Sequence, residues 1–326
     1  MTFQAPKPLL LEYSSGCHDN KPSCAVATIT FNDPDHRNAL GDEMFSALED
    51  ALLDIQKNCE VNQISFQPDL PGDIKNNVRP EINQLGLAAH TQALNTSPTP
   101  DHSKTRVVVL RARGSAFCAG FDLRNVANDT NGSQPVLANY LRRLHACIEI
   151  ISRLPAVTVA AVSGAALAGG CALVSACDFV VATPNAKFGY PTHVIGLSPS
   201  ISAPTLSSRM GMGSARELLL GGQLILGVRA HELGFVSRIA GATLASNNAP
   251  IQPPHQHQEN ALIQETNILV STLLAKEPLA LLTTKRWLQQ LDQHYAGRES
   301  ALLASLSGVG GAESVDRVAA IWKNRT

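Results

Sequence analysis

The segment "ALAGGCALVSACD", Ala166 to Asp178, decides the fold class. The run "VTVAAVSG" just before it is rich in β-branched residues and predicts a buried strand. Gly169 and Gly170 stand at the turn that follows, and the small apolar residues after them predict a helix. A strand, a tight glycine turn and a helix in direct succession form the repeating unit of α/β proteins.

The same alternation continues on both sides of this segment. Buried strands are predicted at "AVATITFNDP", "TRVVVLRARG" and "FVVAT", and helices at "GDEMFSALEDALLDI", "LANYLRRLHACIEIISRL" and "SARELLLGG". The first of these helices places Met44, Leu48, Leu52 and Ile55 on one face. Strands that alternate with helices predict parallel β-α-β units, so the predicted fold class is α/β.

Two polar segments interrupt this pattern. Residues 59–104 are rich in Asn, Gln and Pro and have no sustained apolar period, which predicts an insertion that is flexible at least in part. Residues 241–260 predict a polar linker between a core of residues 9–240 and a helical C-terminal region of residues 261–326. The amphipathic faces of that region require a partner surface, from this chain or from another copy of it.

Composition and charge exclude several classes of function. With a formal net charge of -1, the 326-residue chain gives no electrostatic case for nucleic acid or a membrane surface as a partner. No apolar run approaches the roughly 20 residues of a membrane helix, and the N-terminus lacks a secretory signal pattern. The seven cysteines form no CxxC pair, and His255 and His257 have no third ligand beside them. We therefore expect a cytoplasmic protein without a bound metal.

Two glycine turns carry the functional signal. In "FCAGFDL" a strand leads to Ala119, Gly120 and Phe121, and in "ALAGGCA" a strand leads to Gly169 and Gly170 directly before a helix. Backbone N–H groups in the first turn of a helix have no intrahelical acceptor, and glycine lets a ligand approach them closely. Two such turns side by side would make an oxyanion hole. Tight packing of strand against helix through small residues explains the glycines equally well.

The two turns also carry a resemblance. "FCAGFDL", followed about fifty residues later by "AAVSGAALAGGCALVSACDFVVATPNAKFG", resembles the enoyl-CoA hydratase/isomerase family, the crotonases. The similarity extends back to "ATITFNDPDHRNALGDEM" and forward through "RELLLGGQLILGVRAHELGFVSRI" to "KEPLALLTTKRWL". It covers nearly the whole chain apart from the N-terminal dozen residues and the two polar segments.

The resemblance implies a fold, a ligand and a site. The fold would be a spiral of β-β-α units with a helical C-terminal trimerisation region, in a homotrimer or a hexamer. The substrate would be an acyl-CoA thioester, with coenzyme A as part of the substrate and no other tightly bound cofactor. The backbone N–H groups of Phe121 and Gly169 would be the two oxyanion donors. The substrate-binding residues would be Arg37, Asn38, Ala39, Leu40, Ala119, Gly120 and Gly170.

The chain departs from the family pattern at the acid–base positions. Ala172 and Thr192 occupy the positions of the two hydratase glutamates, and Ser200 stands where related enzymes place another carboxylate. Neither a methyl group nor a threonine hydroxyl can shuttle a proton near neutral pH. Asp122 remains as a candidate but could equally cap a helix, and His193 could be a base but could also face away from the pocket.

The resemblance, together with these departures from it, implies an enzyme that stabilises the enolate of an acyl-CoA thioester. Decarboxylation or other thioester chemistry would suit the site, because such reactions need less from a general base. One alternative is a true hydratase or isomerase with relocated acid–base groups. Another is an acyl-CoA-binding protein without turnover.

Overall fold

The computed structural model of the protein describes residues 7–14, 25–59, 105–128, 133–241, 255–291 and 301–306. The strands are β1 (Leu9–Ser14), β2 (Val26–Phe31), β3 (Val107–Ala112), β4 (Ala116–Cys118), β5 (Val157–Val162), β6 (Ala165–Leu167), β7 (Phe179–Ala182), β8 (Lys187–Gly189), β9 (Ile225–Leu226) and β10 (Arg238–Ile239). The helices are α1 (Asp42–Asn58), α2 (Leu123–Asn128), α3 (Ser133–Arg153), α4 (Gly169–Ser175), α5 (Ala203–Gly221), α6 (Gly227–Glu232), α7 (His255–Leu274) and α8 (Pro278–Leu291). The predicted α/β class is confirmed.

The strands of this described part form two mixed sheets. The larger has the order β1-β2-β3-β5-β7-β10, and the smaller has the order β4-β6-β8-β9. Pairing is parallel except at β1–β2 in the larger sheet and at β8–β9 in the smaller. The carboxyl ends of β4, β6 and β8 therefore lie together at one edge of the smaller sheet.

The larger sheet is covered on both faces. On β3, Val108 and Leu110 join one hydrophobic cluster while Val107 and Val109 join the other, because successive side chains of a strand point to opposite faces. The second cluster includes Leu262 and other apolar residues of α7. Burial on both faces explains why these strands are continuously hydrophobic in sequence.

The apolar face predicted for helix α1 is confirmed. Met44, Leu48, Leu52 and Ile55 are each 3% exposed or less. They pack into the same cluster as the inner residues of β2 and β3.

The two ends of the predicted insertion meet in the fold. Cys59 and Thr105 are partners in an isolated parallel bridge, and the Thr105 N–H donates to the Asn58 carbonyl at 2.9 Å. Most of segment 59–104 lies outside the described residues. The described core is therefore continuous across the point where the segment leaves and returns.

Three features differ from the sequence prediction or were missed by it. Strand β1 pairs along its whole length with β2, although its residues were not predicted to form a strand. Helix α7 begins at His255, inside the 241–260 segment predicted as a linker, because Gln and Glu in "HQHQEN" are good helix formers. Helix α5 is kinked at Gly211, whose φ of 76° and ψ of 158° are not helical.

The described helices also bear on the membrane question. None of them combines the length and the apolar composition that crossing a membrane would require.

Candidate active site

The site lies where three parallel strands of the smaller sheet end side by side. β4 runs into the turn Ala119–Phe121, β6 into Ala168 and Gly169, and β8 into Tyr190. The Ala168 N–H donates to the Gly189 carbonyl at 2.9 Å, which joins the ends of β6 and β8. Ligands of α/β proteins commonly bind at the carboxyl ends of parallel strands.

The orientation of the Phe121 N–H follows from its pairing with Leu40. The Leu40 N–H donates to the Gly120 carbonyl at 2.8 Å, and the Asp122 N–H donates to the Leu40 carbonyl at 3.0 Å. In such a parallel bridge the residue between the two bonds turns its own N–H away from the partner. The Phe121 N–H therefore points away from Leu40. Gly120 permits this turn because its φ of 96° is costly for other residues.

The Gly169 N–H is the first donor of α4 and has no acceptor within the helix. Ala168, the residue before it, has a φ of 48° and a ψ of -113°, a backbone conformation that residues other than glycine rarely adopt. This conformation makes a sharp turn in the backbone between β6 and α4. Such strain is concentrated at functional sites, where the surrounding structure holds it in place.

The two predicted oxyanion donors lie close together. A Cβ atom added to Gly120 would lie 3.8 Å from the Gly169 nitrogen, and one added to Gly169 would lie 3.5 Å from the Phe121 ring. Among the described residues, neither the Phe121 N–H nor the Gly169 N–H donates to a carbonyl of the surrounding loops and turns. The Gly120 and Gly169 turns therefore adjoin.

Gly170 is required for packing. A Cβ atom at this position would lie 2.5 Å from the Cys118 carbonyl oxygen and 2.7 Å from the Cys118 Cβ. Helix α4 therefore sits directly on β4, and burial raises the pKa of the Cys118 thiol to about 12. The packing explanation of this glycine is supported by these distances.

The segment from Arg37 to Leu40 borders the first turn. Arg37 is exposed, and its carbonyl accepts the Ala119 N–H at 3.1 Å. Asn38 is fully buried, and its side-chain amide donates to the carbonyls of Arg113 and Ala116. The Asn38 side chain therefore holds this loop, whereas Arg37 and the partly exposed Ala39 face the surroundings.

Asp122 makes the contacts of a helix cap. Its Oδ1 accepts the Arg124 N–H at 3.0 Å, and its carboxylate also binds the Arg124 guanidinium at 2.7 to 3.2 Å. Burial by itself would raise the pKa of the Asp122 carboxyl, but these hydrogen bonds and the Arg124 charge outweigh it and lower the pKa. A carboxylate with a lowered pKa is a weak base.

The positions of the two absent glutamates hold neutral side chains. Ala172 is fully buried on α4, and its carbonyl accepts the Ser175 hydroxyl at 2.7 Å. The Thr192 Oγ1 is buried and has no hydrogen-bond partner among the described residues. His193, next in the chain, is exposed, and its Nδ1 lies 3.6 Å from where a Cβ of Gly222 would be.

Tyr190 and Ser202 were not identified from the sequence. Both are buried, at 1% and 0% exposure, and the side chains of Ser202, Ser175 and Cys171 lie around the Tyr190 phenol. Burial raises the pKa of the Tyr190 phenol well above its ordinary value, and the nearby Cys171 raises it further, while hydrogen bonds with Ser202 and Ser175 oppose this effect. The hydroxyl-rich run "SPSISAPTLSS" was the available signal.

Helix α3 covers the Phe121 turn. The Tyr140 ring lies 5.7 Å from the Phe121 ring and 5.5 Å from the Phe45 ring, between centroids. The Arg143 guanidinium binds both carboxylate oxygens of Glu49 at 2.8 and 2.9 Å. These contacts fasten α3 to α1, so Tyr140 and Arg143 have a packing role.

Curated proteins named as enoyl-CoA hydratases or isomerases are similar to this chain. The enoyl-CoA isomerase/hydratase fer4 of Mycosarcoma maydis is 35% identical over 147 residues, which are 44% of this chain and 53% of that protein. The match thus spans about half the length of that relative. The mitochondrial enoyl-CoA hydratase domain-containing protein 2 of Homo sapiens is 26% identical over 261 residues, 80% of this chain and 69% of that protein.

Solved structures share the fold. An enoyl-CoA hydratase/isomerase from Xanthobacter autotrophicus Py2 superimposes with a TM-score of 0.67 at 24% identity, over 98% of this chain and 97% of that one. An enoyl-CoA hydratase from Bacillus anthracis gives a TM-score of 0.62 at 20% identity, over 98% and 97%. The family model described as Enoyl-CoA hydratase/isomerase matches residues 78–251, more than half of the chain. The chain belongs to the enoyl-CoA hydratase/isomerase family.

Proposed function

We propose that the protein binds an acyl-CoA thioester and stabilises its enolate through the backbone N–H groups of Phe121 and Gly169. The observation that carries this proposal is the pair of N–H groups at adjoining strand ends, with no backbone acceptor in the described loops and turns around them. Preorganised donors aimed at a developing oxyanion typically lower a barrier by about 3–4 kcal/mol each.

Decarboxylation is the reaction that this site would favour. In a thioester with a carboxylate on its α-carbon, the bond to the carboxylate breaks and carbon dioxide leaves. The electron pair of that bond forms the enolate, whose oxygen accepts the N–H groups of Phe121 and Gly169. A proton from water or a neighbouring side chain then reaches the α-carbon. Decarboxylation needs no general base, which suits a site with Ala172 and Thr192 at the positions of the two usual glutamates.

Coenzyme A would be held beside the first turn. Arg37 to Leu40 border Ala119 and Gly120, and exposed Arg37 is the cation of that segment. We assign the thioester to the turns at Gly120 and Gly169 and the nucleotide portion to the surface at Arg37. No further cofactor is proposed.

The C-terminal helices offer a surface for self-association. Ile263 and Ile268 on α7, and Trp287 and Leu288 on α8, are 44% to 61% exposed. Exposed apolar side chains on neighbouring turns of a helix are typical of interfaces. We propose that these faces meet in a homotrimer, or in a hexamer made of two trimers. Light scattering coupled to size exclusion would give the mass, and a monomer of 34.7 kDa would contradict this proposal.

An acyl-CoA-binding role without turnover is the second candidate. It is favoured by the lack of a carboxylate at positions 172, 192 and 200. A panel of alkyl, enoyl and carboxyacyl CoA thioesters, incubated with the pure protein and followed by mass spectrometry, separates the candidates. Conversion of a carboxyacyl thioester supports the enzyme, and binding without conversion supports the second candidate. A protein that neither binds nor converts any of them contradicts both.

A further inference from the structure

The side-chain amide of Asn38 joins three segments of chain beside the first glycine turn. Its Oδ1 accepts the Asp33 N–H at 2.8 Å, and its Nδ2 donates to the Arg113 carbonyl at 3.0 Å and to the Ala116 carbonyl at 2.8 Å. Asn38 is fully buried, and both hydrogens of its amide are used in these bonds. The side chain therefore acts on the site through the segments that it joins.

The backbone that carries this amide has an unfavourable conformation. Arg37 and Asn38 both have a φ of 53°. Residues other than glycine adopt this left-handed conformation at a cost, although asparagine tolerates it better than most. The side-chain bonds, together with the bond from the Asn38 N–H to the Asp33 carbonyl at 2.8 Å, offset this cost. They hold the segment from Arg37 to Leu40 in one conformation.

The residues on either side of this amide are bonded to the first glycine turn. The Arg37 carbonyl accepts the Ala119 N–H at 3.1 Å. Leu40 donates its N–H to the Gly120 carbonyl at 2.8 Å and accepts the Asp122 N–H at 3.0 Å. A shift of the segment would therefore shift the turn as well.

The Leu40 bonds fix the direction of the Phe121 N–H. The Gly120 carbonyl and the Phe121 N–H belong to one planar trans peptide, so they point in opposite directions. Because the Gly120 carbonyl points at the Leu40 N–H, the Phe121 N–H points away from Leu40. The N–H of Gly120 itself is bonded to the Cys118 thiol. A rotation of this peptide would turn the Phe121 donor away from the proposed position of the thioester oxygen.

We propose that Asn38 is a positioning residue, whose amide fixes the Arg37–Leu40 segment and thereby aims the Phe121 N–H at the oxygen of a bound thioester. This inference rests on the proposed function, because it requires that oxygen to lie at Phe121 and Gly169. It adds a residue that controls the polarisation of the thioester carbonyl without touching the substrate. The Gly169 donor should be independent of Asn38, because its orientation follows from the Ala168 backbone at the end of β6.

The test measures how strongly the site polarises a thioester carbonyl. The probe is acetyl-CoA with an isotopic label in its thioester carbonyl, whose stretching frequency falls when the oxygen accepts hydrogen bonds. Difference infrared spectra of the labelled and unlabelled probe, free and bound to the full chain, give this downshift. Calorimetric titration of each protein with acetyl-CoA gives the concentration at which the probe is fully bound.

The decisive variant is Asn38→Gly. It removes the amide and suits the backbone, because glycine adopts a φ of 53° without a steric cost. Since one of the two donors loses its aim, we expect the downshift to fall to about half of its value in the natural protein.

Asn32→Gly is the matched control. It removes another amide of the same loop, which donates to the Lys7 carbonyl at 3.0 Å and accepts from the Arg113 guanidinium at 3.2 Å. These two bonds do not involve residues 37–40, so this variant should keep the full downshift.

The outcomes separate the inference from the proposed function. A full downshift in Asn38→Gly overturns the inference and leaves the proposed function standing. An equal loss in Asn32→Gly also overturns it, since any damage to the loop would then have the same effect. Failure of the natural protein to bind acetyl-CoA, or to lower its carbonyl frequency, contradicts the proposed function itself.

A second variant covers a failure of Asn38→Gly to fold, which circular dichroism would reveal. Asn38→Asp keeps the size of the side chain and the acceptor for the Asp33 N–H, but it loses both N–H donors of the amide. The same loss of downshift is expected in this variant, and a full downshift in it overturns the inference.

Discussion

Lys285 and Asp178 are 107 residues apart in the chain, yet the Lys285 ammonium lies 2.7 Å from the Asp178 Oδ2. The same ammonium donates to the Ala156 carbonyl at 2.7 Å, and the Asp178 carboxylate also accepts the N–H and hydroxyl of Thr158. Lys285 is 7% exposed. This pair fastens α8 to the ends of β5 and α4, and so joins the C-terminal region to the core that bears the site.

Loss of this ion pair should destabilise the protein. In Lys285→Met the Asp178 carboxylate loses its cation while it stays partly buried, and breaking such a pair costs on the order of 3 kcal/mol. Urea denaturation at pH 7 measures the free energy of unfolding. Lys276→Met is the control, because Lys276 is exposed and should change this free energy little. Equal stability of the two variants would show that the pair does not hold α8.

The 59–104 segment should be dispensable for the core fold. Cys59 and Thr105 are already bridge partners, so a short Gly-Ser linker in place of residues 60–104 can join them without strain. We expect the deletion variant to keep the circular dichroism spectrum of the core and a cooperative thermal transition. Limited proteolysis of the natural protein should cut this segment first. A deletion variant that fails to fold would show that the segment belongs to the core.

Local sequence pattern was enough for the elements whose burial is periodic. The face of α1 and the strands β3 and β5 were predicted because their apolar residues recur at the spacing that their own geometry imposes. The two glycine turns were predicted from local sequence as well, because the strand, the turn and the helix follow each other without a gap.

The rest depends on contacts between distant parts of the chain. β8 and β9 have three and two residues, so no period can develop within them, and only their pairing makes them strands. Tyr190 and Ser202 are neighbours because a 3-10 helix, Pro191–Ile195, and the following loop bring them together beside α4. No local sequence pattern indicates the contact between Tyr190 and Ser202.

The Gly169 N–H can be removed selectively. The first position of a helix makes no intrahelical N–H bond, so Gly169→Pro deletes the donor without removing a hydrogen bond of α4. Gly169→Ala is the matched control, because it keeps the N–H and adds the Cβ that would lie 2.9 Å from Leu40 Cδ1. We expect thioester turnover to fall about 10²- to 10³-fold further in the proline variant than in the alanine variant. Equal losses in the two variants would contradict the role of this N–H.

The Asp122 cap should stabilise the protein at neutral pH and lose this effect in acid. The pKa of the Asp122 carboxyl is lower in the folded protein than in the unfolded chain, so its ionised form favours folding. That contribution is complete above the unfolded pKa and disappears as the pH falls through the folded one. The stability difference between the natural protein and Asp122→Asn should therefore shrink below about pH 4. Asp50→Asn, at an exposed carboxylate of α1, is the control for general charge effects. A difference between the natural protein and Asp122→Asn that does not change with pH would contradict the ion-paired cap.

Hydration of crotonyl-CoA should be slow in the natural protein. Adding water across the double bond requires a base that activates the water and an acid that protonates the α-carbon, and each typically contributes a factor of about 10²–10⁴. Ala172 and Thr192 supply neither, so Ala172→Glu combined with Thr192→Glu should raise the rate, while the matched pair Ala172→Gln with Thr192→Gln should not. The loss of enoyl-thioester absorbance gives the hydration rate of all three proteins. If the natural protein already hydrates crotonyl-CoA as fast as hydratases do, His193 or Asp122 acts as the catalyst and the site is not limited to base-free chemistry.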